Sequence, residues 1–475
     1  MLEIALLIAA QAVLLGAVVI LREPKLLIPC VILGLPFEFL ETELMDSLGS
    51  SGAAGAVRSM LNPGQAAMAA TVVVVAVRER HTPWRLIPNS SLLLPLGLLC
   101  FLLFAGVGWS DNPLRPDNSV LILPLYIGFV LAAPTLVEDR RDLERIAGAF
   151  LLAAVLLALL AVSQRLLGVF TWRDMLFSGG VYRSNATFSD PNMLARFLVI
   201  AIGLAAGLVL ATGPRRQTLY LAAPTLAVGS IAVLATGSRS GWVMLLLVGF
   251  VVVMTAPIAR YTKARLTLGA LGALVLGVGL LLMQGGADAE RVKSLTNSAS
   301  LIGQREFLIR AGWEMWKDSP LIGWGTGNFQ ETLIVGYLDY LPWWARTTLS
   351  HTSAISVLAE LGIVGAAALL FVSLRIGATM VRAYFATGRV YNRLFVGWLG
   401  AALLGILFSS QSEGRLLDDP FLWVFFALVI AIETAPGLTG KPHSRGVFEP
   451  KPRGELRRET AGGALPVPAA AASAE

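Results

Sequence analysis

The sequence predicts an all-α fold, a polytopic transmembrane helical bundle of about 12–13 spans with one large extracytoplasmic loop. Three observations carry that prediction. Hydrophobic residues make up 56% of the 475 residues and charged residues only 14%, where a soluble domain carries about 25% charged, and mean hydropathy is +0.71. Apolar runs recur along almost the whole chain. The basic residues collect in alternate short loops between those runs. The formal charge of +6 therefore reports orientation in a bilayer and not a nucleic-acid surface. Cys30 and Cys100 lie inside apolar runs, so they form neither a metal-ligand spacing nor a disulfide framework.

A helix needs about 20 apolar residues to cross a bilayer. Taken in order, such runs fall near 2–21, 26–40, 65–77, 91–109, 119–137, 147–168, 193–212, 219–236, 241–258, 266–283, 353–374, 394–410 and 421–434, the second, third and last being short. Glu3 precedes the first run without a basic leader, so that run is read as a retained helix and not as a cleaved signal peptide. With the loop 22–25 in the cytoplasm, the clusters Arg78/Arg80/Arg85, Arg140/Arg141/Arg145, Arg215/Arg216, Arg260/Lys263/Arg265 and Arg375/Arg382/Arg389/Arg393 all fall on the same side. So do Lys441, Arg445, Lys451, Arg453, Arg457 and Arg458. The alternation predicts an external N-terminus and a cytoplasmic C-terminus.

Residues 1–435 are thus the transmembrane domain. Residues 436–475 are rich in Pro, Gly, Ala and charge, cannot bury enough surface to fold, and are predicted to be a disordered cytoplasmic tail. The extracytoplasmic loop 284–350 differs, because its aromatic residues, among them Trp313, Trp316, Trp324, Tyr337 and Trp343, allow it to pack. Within it, residues 304–317 carry Phe307, Leu308, Ala311 and Met315 at helical spacing, which predicts an amphipathic helix along the membrane surface. Asp318-Ser319-Pro320 ends that helix, and Gly323, Gly325 and Gly327 supply tight turns after it.

This topology sorts the unusual polar residues to one face. Arg183, Asp190 and Asn192 precede the seventh span. Ser238, Arg239 and Ser240 form the outer turn between spans eight and nine. Arg305 belongs to the large loop, and His351 stands at the mouth of the eleventh span. His81 and His443 fall on the cytoplasmic side. Arg239 sits in a turn with hardly any extramembrane length, flanked by Gly237 and Gly241. A guanidinium and two serine hydroxyls at a helix boundary suit a phosphate, although an arginine reaching to lipid headgroups fits the same position. Taken singly, Arg183 and Arg305 fit loop ion pairs with Asp190 and Glu306 better than a ligand role, and His351 also suits a place beside a helix cap. Glu360 lies nine residues after His351, on the opposite side of a continuous helix and about 13 Å deeper. It is therefore expected to pair with a polar group from another span. No Asp-x-Asp pair or His/Cys cluster occurs, so no metal or other cofactor is expected.

Four stretches, in order, resemble the O-antigen ligase and O-antigen polymerase family of bacterial envelope proteins. They are Phe188-Ser189-Asp190-Pro191-Asn192, Thr236-Gly237-Ser238-Arg239-Ser240-Gly241, the run from Pro320 through Gly323-Trp324-Gly325-Thr326-Gly327-Asn328-Phe329, and His351 followed by Ala359-Glu360-Leu361-Gly362-Ile363-Val364-Gly365. The motif-level resemblance covers about 180 to 370, by order and spacing of these motifs. Thr352 departs from the pattern, since many members have Asn directly after the outer histidine, and this bears on the acceptor side.

The resemblance implies a metal-independent membrane glycosyltransferase, similar in architecture to GT-C-type enzymes, in the bacterial inner membrane with its active site on the extracytoplasmic face. It would take a glycan from undecaprenyl pyrophosphate and pass it to an acceptor, lipid A core oligosaccharide in ligases or a second lipid-linked repeat unit in polymerases. On this reading Arg239, with Arg183 and Arg305, binds the donor pyrophosphate, and His351 is the base toward the acceptor hydroxyl. Ser238, Ser240, Asp190, Asn192 and Glu360 support them. The implied partners are the lipid-linked glycan, an acceptor glycan or glycolipid and the bilayer, with no nucleic acid. A lipid-linked oligosaccharide transporter is the reading from another class. Transporters hold their intramembrane charges near the midplane, whereas this set gathers at one face.

Overall fold

The computed structural model describes residues 16, 23–39, 62–110, 119–172, 176–177, 181–212, 216–284, 304–343, 350, 352–388, 390–414, 416–435 and 438. Most of the first apolar run, most of the C-terminal tail and His351 lie outside the described residues. The helices are α1 (Leu27–Gly34), α2 (Pro63–Arg78), α3 (Leu93–Val107), α4 (Leu123–Ala132), α5 (Arg140–Leu167), α6 (Pro191–Thr212), α7 (Arg216–Ala235), α8 (Arg239–Thr255), α9 (Arg260–Gln284), α10 (Gln304–Asp318), α11 (Phe329–Gly336), α12 (Ser353–Ala386), α13 (Val390–Glu413) and α14 (Pro420–Thr434). Each apolar run from 26–40 onward coincides with a helix. Among the described residues the fold is all-α apart from one antiparallel ladder that the sequence does not predict, β1 (Leu176–Phe177) with β2 (Val181–Tyr182), in register Leu176↔Tyr182.

Local chemistry sets the helix starts. Asp139 caps α5 by accepting from the N–H groups of Arg141 and Asp142, and Asp142 returns the bond to the Asp139 N–H, a capping box. Asn62 caps α2 and Asp419 caps α14, each followed by proline in the first turn, where the missing N–H costs nothing. Gly168, in the left-handed region at φ 65°, ends α5. Among the described helices, α5, α6, α12 and α13 are long and apolar enough to cross a membrane, while α2, α3, α4, α7, α8 and α14 are shorter apolar helices. α4 gains length from 3₁₀ turns at both ends, Ser119–Leu121 and Ala133–Leu136.

The core lies where α5, α6, α13 and α14 meet. Trp398 is buried against Phe150, Phe395 and Phe425, with centroid separations of 5.4, 4.9 and 5.8 Å, and its indole N–H donates to the Ile200 carbonyl at 2.9 Å. Burying an aromatic body while pairing its polar atom avoids the desolvation penalty of a lone N–H.

Contacts at the helix ends fall into two groups at opposite ends of the bundle. At one end Lys25 pairs with Glu138 (2.9 Å) and Asp142 (3.0 Å), and Arg140 stacks over Tyr391 at 4.6 Å. At that end too Glu433 accepts from the hydroxyls of Ser90 (2.6 Å) and Ser91 (2.7 Å). At the opposite end lie the beginnings of α6, α8, α12 and α14 and the ends of α5, α7 and α13, and there the candidate residues gather.

Candidate functional site at the arginine mouth

The turn between α7 and α8 is built to hold an arginine. Gly237 takes φ 60°, a left-handed geometry in which a side chain is strained. Ser238 then caps α8, its hydroxyl accepting from the Gly241 N–H at 3.1 Å and lying 3.2 Å from the Ser240 hydroxyl. Arg239 is therefore the first residue of α8, at the positive end of the helix dipole.

Arg183 reaches this turn from the segment before α6. Its Nε donates to the Thr236 carbonyl at 2.9 Å and an Nη to Asn192 Oδ1 at 3.1 Å. Asp190 is not its hydrogen-bond partner. It caps the start of α6 through the Asn192 N–H at 2.6 Å and acts on Arg183 through space. Burial lowers the Arg183 pKa from its usual value, Asp190 opposes that shift and Arg239 adds to it.

Arg305 arrives from a third element, α10, and its Nη donates to the Ser412 carbonyl at the end of α13, 2.9 Å away. Burial lowers its pKa, Arg239 lowers it further, and Glu413 and Asp190 raise it. The alternative partner Glu306 instead pairs with Arg310, one turn on, at 2.9 Å. Arg239 thus acts on both Arg183 and Arg305, and the structure brings the three together.

α10 has the predicted amphipathic stripe, but its apolar face does not lie on lipid. Leu308, Ala311 and Met315 are buried against Phe329, Leu333 and Ala359. Gly312 permits this approach, since a Cβ there would stand 2.3 Å from Ile355. The helix turns inward because the loop after it supplies an apolar partner.

Glu360 also differs from expectation. Its carboxylate accepts from the N–H groups of Gly327 (3.0 Å) and Phe329 (3.2 Å), in the glycine loop and not in another span. α12 is broken beside it: Gly362 has φ 63° and ψ −163°. The loop fills the break, with Trp324 N–H donating to Ala359 O, Gly325 N–H to Glu360 O and Ile363 N–H to Pro320 O, each at 2.9 Å. Thr326 ties the same loop to α3, its hydroxyl donating to the Leu103 carbonyl at 2.8 Å. Non-helical backbone within an apolar bundle is tolerable only where its polar groups are met like this.

His351 lies outside the described residues. Its neighbours Ser350 and Thr352 frame the start of α12. Thr352 is the N-cap position without a side-chain cap bond, and the Ser350 hydroxyl accepts from the Ser356 hydroxyl at 2.7 Å.

One buried group was not singled out from sequence. Arg196, in α6, is 4% exposed and bridges Glu413 (3.0 Å) and Asp419 (3.1 Å). A charge inside the apolar run 193–212 was the available signal. Glu38, likewise not singled out, accepts from the Ser189 N–H (2.9 Å) and hydroxyl (2.5 Å) beside Asp190. Among the described residues no group of three or more His, Cys, Asp or Glu is disposed to hold a metal.

Residues 224–370 match the family model described as O-antigen ligase, a segment that includes Arg239, Arg305, the glycine loop, His351 and Glu360. No curated protein matches the chain. Among solved structures, the chain is similar to one described as "Structural coordination of polymerization and crosslinking by a peptidoglycan synthase complex", at 19% identity and a TM-score of 0.44, over 74% of this chain and 99% of that one. The family match supports a membrane protein of the O-antigen ligase/polymerase type with glycosyltransferase activity.

Proposed function

With residues 224–370 forming an O-antigen ligase-family segment, we propose that the chain transfers a glycan from undecaprenyl pyrophosphate to lipid A core oligosaccharide at the outer face of the bacterial inner membrane. The observation that carries this reading is that Arg183, bound at the α7–α8 turn, and Arg305, bound at the end of α13, both lie within the electrostatic reach of Arg239 at the start of α8. A pyrophosphate leaving group develops negative charge as the sugar–oxygen bond breaks, and donors already oriented at that point stabilise it. Binding the anion also opposes the effect of the Arg239 charge on Arg183 and Arg305.

In the step itself the acceptor hydroxyl oxygen attacks the anomeric carbon and forms the new glycosidic bond. The bond from that carbon to the pyrophosphate oxygen breaks, and its electron pair leaves on undecaprenyl pyrophosphate. The hydroxyl proton passes to His351, a residue type whose pKa suits a base at neutral pH. Ser238 and Ser240 shape the turn under Arg239, Asp190 and Asn192 hold Arg183, and Glu360 holds the glycine loop. No metal enters this scheme. The bundle supplies the lipid-facing surface for the polyprenyl tail. Thr352, in place of the asparagine many members carry after the histidine, keeps a polymerase joining lipid-linked repeat units as the second reading.

The test is glycan transfer by purified protein in lipid. Arg239→Lys keeps the charge but loses the bidentate fork, so both it and Arg239→Ala should lower transfer by about 10²-fold or more. Full activity in both, at normal expression, would move the site elsewhere.

A further inference from the structure

Three positions on the first two turns of α6 each meet an arginine of the mouth, the element that carries one, or the segment that receives one. Asn192 Oδ1 accepts from Arg183 at 3.1 Å. Ala195 packs under the start of α8 so closely that a Cβ on Gly241 would stand 2.7 Å from its own, two residues after Arg239. Arg196, one turn after Asn192, bridges Glu413 and Asp419, and the carbonyl next to Glu413, that of Ser412, receives Arg305. The same segment meets the start of α12: Ser353 donates its hydroxyl to the Ser410 carbonyl at 3.0 Å, and the Ala354 N–H donates to Gln411 Oε1 at 3.2 Å.

The ion trio is an expensive way to join helices. Arg196, Glu413 and Asp419 are 4%, 4% and 1% exposed, and their mutual attraction must first offset the desolvation of three charges. Well-packed apolar side chains commonly do the joining as well or better. What charges add is register, because a buried planar guanidinium paired with carboxylates on two sides admits few placements of its partners. Here one Nη meets Glu413, at the end of α13, and the other meets Asp419, the cap of α14. The linker between those helices is therefore indexed to α6 at both ends. Aromatic packing closes the site, with Phe197 at 5.2 Å from Phe421 and 5.8 Å from Phe188.

We propose that Arg196 is a positioning residue for the donor-anion site, fixing through Glu413 and Ser412 where Arg305 stands relative to Arg183 and Arg239. α6 then acts as the common ruler for the three arginines, and the 410–413 segment carries the same register to the start of α12, just after His351. This inference rests on the pyrophosphate reading of the mouth. A displacement of about 1 Å in a positioning group can cost about 10²-fold in rate, so the register of one carbonyl matters.

The test uses the full chain in lipid nanodiscs with undecaprenyl pyrophosphate as the probe, binding being measured per folded molecule. Arg196→Lys retains one charge but not the two-sided fork, and should weaken probe binding about tenfold. Arg305→Ala added to Arg196→Lys should cause little further loss, because both changes remove the same contact. Where Arg196→Lys does not accumulate folded, Glu413→Asp takes its place in the same cycle, keeping every charge and shortening the link by one methylene. Wild-type affinity in the substituted protein, or losses that simply add to that of Arg305→Ala, would overturn the proposal by reducing the trio to a structural pair. Probe binding by the wild-type chain that is insensitive to Arg239→Ala would instead refute the pyrophosphate reading, and this inference with it.

Discussion

Glu360 and Gly327 are joined by a hydrogen bond from the backbone N–H of the loop residue to the carboxylate of the span residue, 3.0 Å long. With the second bond from the Phe329 N–H, the carboxylate becomes the cap of a loop that has no regular structure of its own. The loop in turn leads into α11, whose Phe329 and Leu333 pack against α10, the helix that carries Arg305. The chain of contacts runs from a break in a span, through a glycine loop, to a side chain of the mouth.

Glu360→Gln should therefore destabilise the protein by about 1–3 kcal/mol. An amide offers one acceptor oxygen where the carboxylate offered two, so one of the two backbone donors faces an NH₂ group. Thermal unfolding in detergent measures the loss. Stability equal to the wild type would mean that the loop is held by its backbone bonds alone.

Gly362→Ala should cost more than about 2 kcal/mol. The backbone at φ 63° disfavours any Cβ, and one placed there would stand 2.3 Å from the Leu321 backbone. The loop would have to leave the break, taking the Trp324 and Gly325 hydrogen bonds with it. Transfer activity should fall together with the melting temperature, and a variant stable and active as wild type would show that α12 straightens without penalty.

How far these features could be read from the sequence follows from the distance over which each is decided. Arg239 was legible because two glycines, two serines and a very short turn are all local to it. The stripe of Leu308, Ala311 and Met315 was legible for the same reason, since helical periodicity needs only neighbours. Where that stripe docks was not, because its partners Phe329, Leu333 and Ala359 belong to later segments, and a surface helix presents the same pattern. The break at Gly362 depends on residues 320–325, and glycine within an apolar run is common in unbroken spans. Arg196 was visible as a charge in a span, yet its carboxylates lie on the last two helices, beyond any spacing rule. Asp190 beside Arg183 suggested an ion pair by proximity in sequence, whereas the carboxylate serves a helix cap, a shorter-range demand that it meets first.

The alternation of basic loops predicts which face is outside. In a cysteine-free background, a cysteine at position 343, where Trp343 is 96% exposed, should react with an impermeant maleimide from outside right-side-out vesicles. A cysteine at the exposed Arg85 should react only after permeabilisation. The reverse pattern would invert the topology and put the arginine mouth on the cytoplasmic side.

The sharpest prediction concerns His351, which follows Ser350 and precedes the span that Ser353 opens. As the base toward the acceptor hydroxyl it should contribute about 10²–10⁴-fold to the transfer rate and little to donor affinity, because the pyrophosphate is held by the arginines. A histidine that only orders the start of α12 has a different signature: Ser353 and Ala354 touch the 410–413 segment that receives Arg305, so loosening them should weaken donor binding as well. His351→Ala therefore separates the two roles when binding of undecaprenyl pyrophosphate and glycan transfer are measured on the same preparation. Transfer reduced by about 10²-fold or more with donor binding unchanged identifies the base. A parallel fall in both assigns the residue to the scaffold, and transfer near the wild-type rate with normal binding removes it from the mechanism.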